Sequence, residues 1–257
     1  MLFPRLIPVL LIRSGALEKS IKFRKWSYVG DVLNAVRIFN EKEVDEIVVL
    51  DVDATKHGNG PNFQLLAEIA GECFMPLSYG GGISNLEQAK QVMGLGIEKV
   101  VLNQAAFKAP ELVGEVANFL GSSSTVVSFD LGWKSRRPMR WDYLNKSWDK
   151  TSQVGDWMKK FQDLGAGEFM LQNIEADGTL MGPDLALAKF FADQTSMPTI
   201  VAGGVADLED AKKLWLAGVS GVAAGSWFVY NGPHRAVLIN YPKYPELKSA
   251  FESTMSN

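Results

Sequence analysis

"GGISNLEQAKQVMGLGIEKV" (81–100) and "GGVADLEDAKKLWLAGVSGV" (203–222) align without gaps at a shift of 122, with eight of twenty positions identical. Average composition would give about one or two identities. The shift is nearly half of the 257-residue chain, so the sequence reads as a duplication. In each copy a Gly-Gly pair precedes a helical pattern. Leu86, Ala89, Val92 and Met93 share one face, as do Leu208, Ala211, Leu214 and Trp215. Asn85 and Asp207 stand where N-caps belong, with Gln88 and Asp210 three residues on.

Working outward, eight short apolar runs alternate with such helices. They are 6–12, 46–52, 76–80, 99–103, 125–131, 168–173, 198–203 and 221–226. They are β-branched and do not alternate with polar residues, as expected of parallel strands covered on both faces. Eight βα units in this length predict an α/β fold, a (β/α)8 TIM barrel made of two half-barrels, about 1–122 and 123–257, within one domain over 1–257. A doubly wound sheet is the alternative, but no G-x-G-x-x-G turn follows the first strand.

Composition excludes several classes. Hydrophobic residues make up 47% and charged residues 21%, with a net charge of −3, which argues against a nucleic-acid binder. No run approaches the roughly 18 apolar residues of a membrane span. The single cysteine, Cys73, reads as a small buried hydrophobe on a helix and suits a reducing cytoplasm. His57 and His234 lack ligand spacing, so neither a metal nor another cofactor is expected.

In a barrel of this kind function sits at the C-terminal strand ends. Gly81-Gly82 and Gly203-Gly204 let backbone N–H groups approach an anion before a helix, although paired glycines also serve tight turns alone. With Asn103, Gly225 and Ser226 at strands 4 and 8, two facing cradles suit an elongated ligand carrying a phosphate at each end. Asp51, Asp130 and Asp177 are the acidic candidates at this mouth, and Asp130 lies among apolar residues that would raise its pKa. Its plainer role is to accept hydrogen bonds from loop backbone. Lys19 lies in the first loop, which is long enough to fold over the mouth, although spacing alone favours a solvated lysine. At the other end Arg5, Glu46, Lys99 and Glu168 start strands 1, 2, 4 and 6. They could close a ring around the axis, though sequence alone favours a wet rim.

The segments "IPVL", "GDVLNAV", "DEIVVLD", "YGGGI", "KVVLNQAA", "FD", "GAGEF", "DGT" and "AGGV" together resemble the HisF family, the cyclase subunit of imidazole glycerol phosphate synthase, over roughly residues 1–228. The resemblance implies a bis-phosphate ribonucleotide at the mouth. It also implies a glutaminase docked on the bottom face that sends ammonia up the axis. By position, Arg5, Glu46, Lys99 and Glu168 match that family's charged gate, and Glu98 an acidic glutaminase contact. Asp130 matches its general acid and Lys19 its loop lysine. Gly82, Asn103, Gly178, Gly204 and Ser226 match phosphate-site positions.

The departures cluster at the mouth. Leu11 occupies the position of the family's general base, an aspartate, and leucine can neither accept nor donate a proton. Val101 and Ala202 replace serines, and Gln104 and Gln172 replace threonines. The tail "GPHRAVLINYPKYPEL" (232–247) resembles HisF-like proteins associated with surface-polysaccharide synthesis, which work with a glutaminase and a separate sugar amidotransferase. The expectation is a subunit of a glutamine-dependent amidotransferase assembly that conducts ammonia, with its own cyclase activity lost. The alternatives are an active cyclase of histidine biosynthesis, using Asp51 or Asp177 as base, and a non-catalytic scaffold. The stretch 133–148, with Trp133, Trp141 and Trp148 among basic residues, is either a partner surface or a β-hairpin lid.

Overall fold

The computed structural model describes residues 3–255, with side chains described through Glu252. Eight parallel strands close a barrel: β1 (Arg5–Arg13), β2 (Ile47–Asp51), β3 (Leu77–Gly80), β4 (Lys99–Leu102), β5 (Thr125–Lys134), β6 (Glu168–Asn173), β7 (Thr199–Ala202) and β8 (Gly221–Ala224). Each pairs with its sequence neighbour, and β8 pairs back onto β1 through Arg5–Gly221 and Leu6–Val222. Helices connect the strands on the outside. Among the described residues no helix is long and apolar enough to cross a membrane.

The strands are apolar on both faces, which hides their period of two in the sequence. The structure separates it. On β1, Leu6, Leu10 and Ile12 pack outward against the helices, while Ile7, Val9 and Leu11 point into the lumen. On β2 the outward residues are Ile47 and Val49, and Val48 faces the lumen. Leu11 is 6% exposed, and burying such a side chain is worth about 1.5–3 kcal/mol.

The duplicated stretch folds as its sequence implies. Asn85 accepts from the Gln88 amide at 2.9 Å, and Asp207 from the Asp210 amide at 2.9 Å. The reciprocal bonds reach one residue further back than a standard capping box. Gln88 accepts from the Ser84 amide at 2.8 Å and Asp210 from the Ala206 amide at 3.1 Å.

Two sequence expectations need correction, and one open alternative is decided. Cys73 is half-buried at the C-cap of helix Phe63–Glu72, where it ends the helix instead of lying on it. The first loop is a β-hairpin, Ala16–Ile21 against Lys25–Gly30, because β1 turns back on itself at Ser14-Gly15. Strand β5 likewise runs on past Asp130 into a hairpin with Arg137–Asp142 and Ser147–Trp148. The Trp-rich stretch is therefore a folded hairpin, with Trp141 and Trp148 edge-on at 5.2 Å.

Candidate functional site at the two ends of the barrel

At the bottom, Arg5, Glu46, Lys99 and Glu168 form one closed ring. Arg5 bonds Glu46 through Nη1 and Glu168 through Nη2. Lys99 Nζ lies 3.2 Å from Glu46 and 3.0 Å from Glu168. Both carboxylates are buried, and Glu46 also accepts from the Ser78 hydroxyl at 2.7 Å. The wet-rim expectation fails here because all four side chains lie on lumen-facing positions and converge on the axis. Gly221 lies beside the ring, where a Cβ would crowd Ile200 Cγ1 at 3.1 Å and Ile7 Cδ1 at 3.2 Å. Glu98 is exposed on the surface outside the ring.

Above the ring the lumen is apolar. Ile7, Val9, Val48, Val101, Val126, Met170, Ile200, Ala202 and Ala223 line it, with Leu11 near the top and Trp26 of the first hairpin packed over the end. Arg5 to Leu11 spans six residues of β1, about 20 Å of strand.

At the mouth the two cradles differ. The first-half cradle opens into a chamber of about 130 Å³ lined by Leu11, Asp51, Gly82, Asn103 and Asp130, among others. Gly82 has φ +70°, and a Cβ there would fall 2.7 Å from Asn59 O, so the turn requires glycine. Its amide donates to Thr55 Oγ1 at 3.2 Å. Asp130 is 6% exposed and accepts from Asn103 Nδ2 at 3.1 Å; burial pushes its carboxyl up to about 7. Its partner is thus a side chain and not loop backbone.

The backbone role falls instead to Asp51, whose Oδ1 accepts from the Asp53 and Ala54 amides at 3.1 and 3.0 Å. Asn173, offset by the repeat shift of 122, does the same for Glu175 and Ala176 at 3.0 and 3.3 Å. Asp51 is therefore a turn-holding residue as well as a chamber wall, and Asn173 is a counterpart the sequence reading missed. The shift of 122 was itself the available signal.

The second-half cradle, with Gly178, Gly204, Gly225 and Ser226, keeps a much smaller space, about 30 Å³. Lys19 fills it. The lysine is 4% exposed, not solvated, because the hairpin that carries it folds inward. Its Nζ donates to Val9 O, and burial lowers its pKa to about 7. Asp177 latches the hairpin, accepting from Ser20 Oγ at 2.5 Å and from the Phe23 amide at 3.4 Å, while its carbonyl accepts from the Lys22 amide at 3.0 Å. Ser226 starts a short helix just beyond β8, and Asn103 likewise follows β4.

A Cβ at Gly225 would lie 2.6 Å from Lys19 Nζ. Gly225→Val is expected to expel Lys19 and destabilise the closed hairpin by about 1–3 kcal/mol. Hydrogen exchange over 16–30 should then accelerate. Gly30→Ala, in the same hairpin with open space around it, should leave exchange unchanged.

A closed (β/α)8 barrel with duplicated glycine cradles at one end and a paired ionic ring at the other defines a duplicated half-barrel protein. The chain belongs to the histidine biosynthesis protein family, whose model matches residues 5–234, and within it the chain is HisF-like. It is 44% identical over 254 residues to a Leptospira interrogans protein provisionally named imidazole glycerol phosphate synthase subunit HisF, covering 98% of this chain and 100% of that one. A Pseudomonas aeruginosa protein, provisionally named subunit hisF2, is 43% identical over 95% of this chain and 97% of its own. The imidazole glycerol phosphate synthase subunit HisF of Thermococcus gammatolerans is 34% identical over 90% of this chain and 91% of its own.

Proposed function

We propose that this chain conducts ammonia from a glutaminase docked under the barrel to a separate sugar amidotransferase acting at the mouth, in surface-polysaccharide synthesis. The observation that carries this reading is Leu11. It stands in line with Arg5, Ile7 and Val9 on one face of β1, directly between the ionic ring and the chamber.

An apolar lumen admits neutral ammonia but penalises ammonium, which loses its hydration on entry. The ring is internally neutral and fully paired, so it carries no net charge that would retain a cation at the entrance. A carboxylate at position 11 would instead ionise or take a proton inside that lumen. With Leu11 the acid–base pair expected of a cyclase is reduced to Asp130 alone, and losing a general base costs about 10²–10⁴ in rate. Glu98 and the exposed ring surround fit the docking face of the glutaminase.

The test is reconstitution with the glutaminase and amidotransferase of the same cell. Glutamine-dependent amidation should fall in Arg5→Ala and Lys99→Ala while amidation fed by free ammonium persists. Unchanged glutamine-dependent amidation in both variants contradicts the conduit. Separately, the chain alone supplied with ammonium should leave the bis-phosphate ribonucleotide almost unconverted. Robust turnover would restore the cyclase reading, with Asp51 or Asp177 as its base.

A further inference from the structure

Outside the mouth lies a third and larger cavity, about 990 Å³, between the tip of the first hairpin and the hairpin that extends β5. That is the size of a small-molecule site, typically about 300–1,000 Å³. Lys22, Arg24, Lys56, Lys134 and Lys146 line it, against a single acidic residue, Glu175. Only Lys134 is paired, to Glu175 at 3.5 Å; among the described residues the other four form no ion pair. This surplus of positive charge sits on a chain whose net charge is −3. Three rings, Trp141, Tyr143 and Trp148, supply half-buried aromatic walls, and Lys134 Nζ lies 5.0 Å over Trp148.

The hairpin tip is built against backbone preference. Lys22 and Phe23 adopt φ +54° and +55° at the centre of a β-turn closed by Arg24 N to Ile21 O at 3.1 Å, within the connection 22–24 between the paired Ile21 and Lys25. Such turns favour Asn-Gly. Here a cation and a ring occupy the left-handed positions, and both line the cavity. Strain of this kind marks positions where the side chain matters more than the turn.

Cations that can surround a diphosphate, beside aromatic faces that can stack a base, are the chemistry of nucleotide binding. We propose that this vestibule binds a nucleoside diphosphate. Phe23 and Tyr143 line both the vestibule and the mouth chamber, so a group carried on the diphosphate would be held beside the upper end of the lumen. The binding stands on the vestibule alone and does not depend on ammonia transit.

The experiment titrates the purified chain with uridine diphosphate, adenosine diphosphate, inorganic diphosphate and an acidic peptide, read by calorimetry and tryptophan fluorescence. At least one nucleotide should bind about tenfold more tightly than inorganic diphosphate. Lys134→Glu with Lys146→Glu should weaken it by about tenfold or more, and added salt should weaken it further. Trp141→Ala should remove the preference for nucleotide over diphosphate; circular dichroism checks that the hairpin protein remains folded, and the charge variants decide if it does not. Four results overturn the proposal: no nucleotide binding at millimolar concentration, equal affinity for inorganic diphosphate, equal affinity for an acidic peptide, or binding lost in Asn103→Leu but kept in the lysine variants. The last would move the ligand to the mouth.

Discussion

Glu46→Ala is expected to destabilise the protein by about 3–5 kcal/mol, the usual cost of removing one partner from a buried ion pair. Glu46 is 2% exposed and accepts from Arg5, Lys99 and Ser78 together. Its loss leaves two cations facing one carboxylate, Glu168, and strands the Ser78 hydroxyl in the barrel floor. Urea unfolding should show the loss as a lower midpoint with an unchanged slope. Glu46→Gln keeps an acceptor for Ser78 and should cost less. If Glu46→Ala matches the parent, the ring is a solvated rim after all. The pairs depend on one another, because each carboxylate serves both cations.

The effect of Asp130→Asn on stability is expected to depend on pH. In the unfolded chain the carboxyl ionises near its ordinary value of 3.8, whereas burial holds the folded one up to about 7. Between these values the folded state binds a proton that the unfolded state does not. The stability contributed by Asp130 is therefore complete below about pH 4 and is lost as pH rises to 7, by about 4 kcal/mol at most. An asparagine does not titrate. The variant should gain on the parent across that window and hold a constant lead above it. Lys19 titrates in the opposite window, since its lowered pKa of about 7 makes the protein gain stability from pH 7 up to about 10.5. Unfolding curves at pH 5 and pH 8 for both proteins check this. A pH-independent difference would mean that Asp130 ionises as an ordinary surface carboxyl.

Much of the barrel was legible in the sequence because the duplication repeats its local chemistry. The Gly-Gly turns, the caps Asn85 and Asp207 and the apolar helix faces each appear twice, so errors in one copy are corrected by the other. What stayed hidden depends on side-chain direction. Strands apolar on both faces give no period of two, so the sequence could not show that Arg5, Ile7, Val9 and Leu11 share the lumen. For the same reason the ring residues looked like separate charges at separate strand starts. The first hairpin was hidden for a different reason. Lys22-Phe23 turn in the left-handed region without glycine, so no turn signal marks them. Spacing alone therefore favoured a solvated Lys19, although the family match put it at the ligand site, and the hairpin places it in the second cradle. The second hairpin, within 133–148, was one of two readings the sequence left open.

The two ends of the molecule now have distinct physical characters. The bottom is a neutral, multiply paired ring whose two carboxylates are buried. The lumen above it is apolar up to Leu11. The mouth keeps one open cradle and has filled the other with its own lysine. These features fit a barrel that passes a small neutral molecule upward better than one that grips a ligand at both phosphates.

The most direct measurement supplies the reconstituted assembly with glutamine labelled with nitrogen-15 at its amide, in a large excess of unlabelled ammonium. Transit through the lumen keeps glutamine nitrogen apart from the bulk, so the amidated product should be strongly enriched in nitrogen-15, and Ala223→Phe, which fills the apolar lumen, should abolish that enrichment. A product whose label is diluted to the bulk ratio in the parent assembly would contradict the conduit.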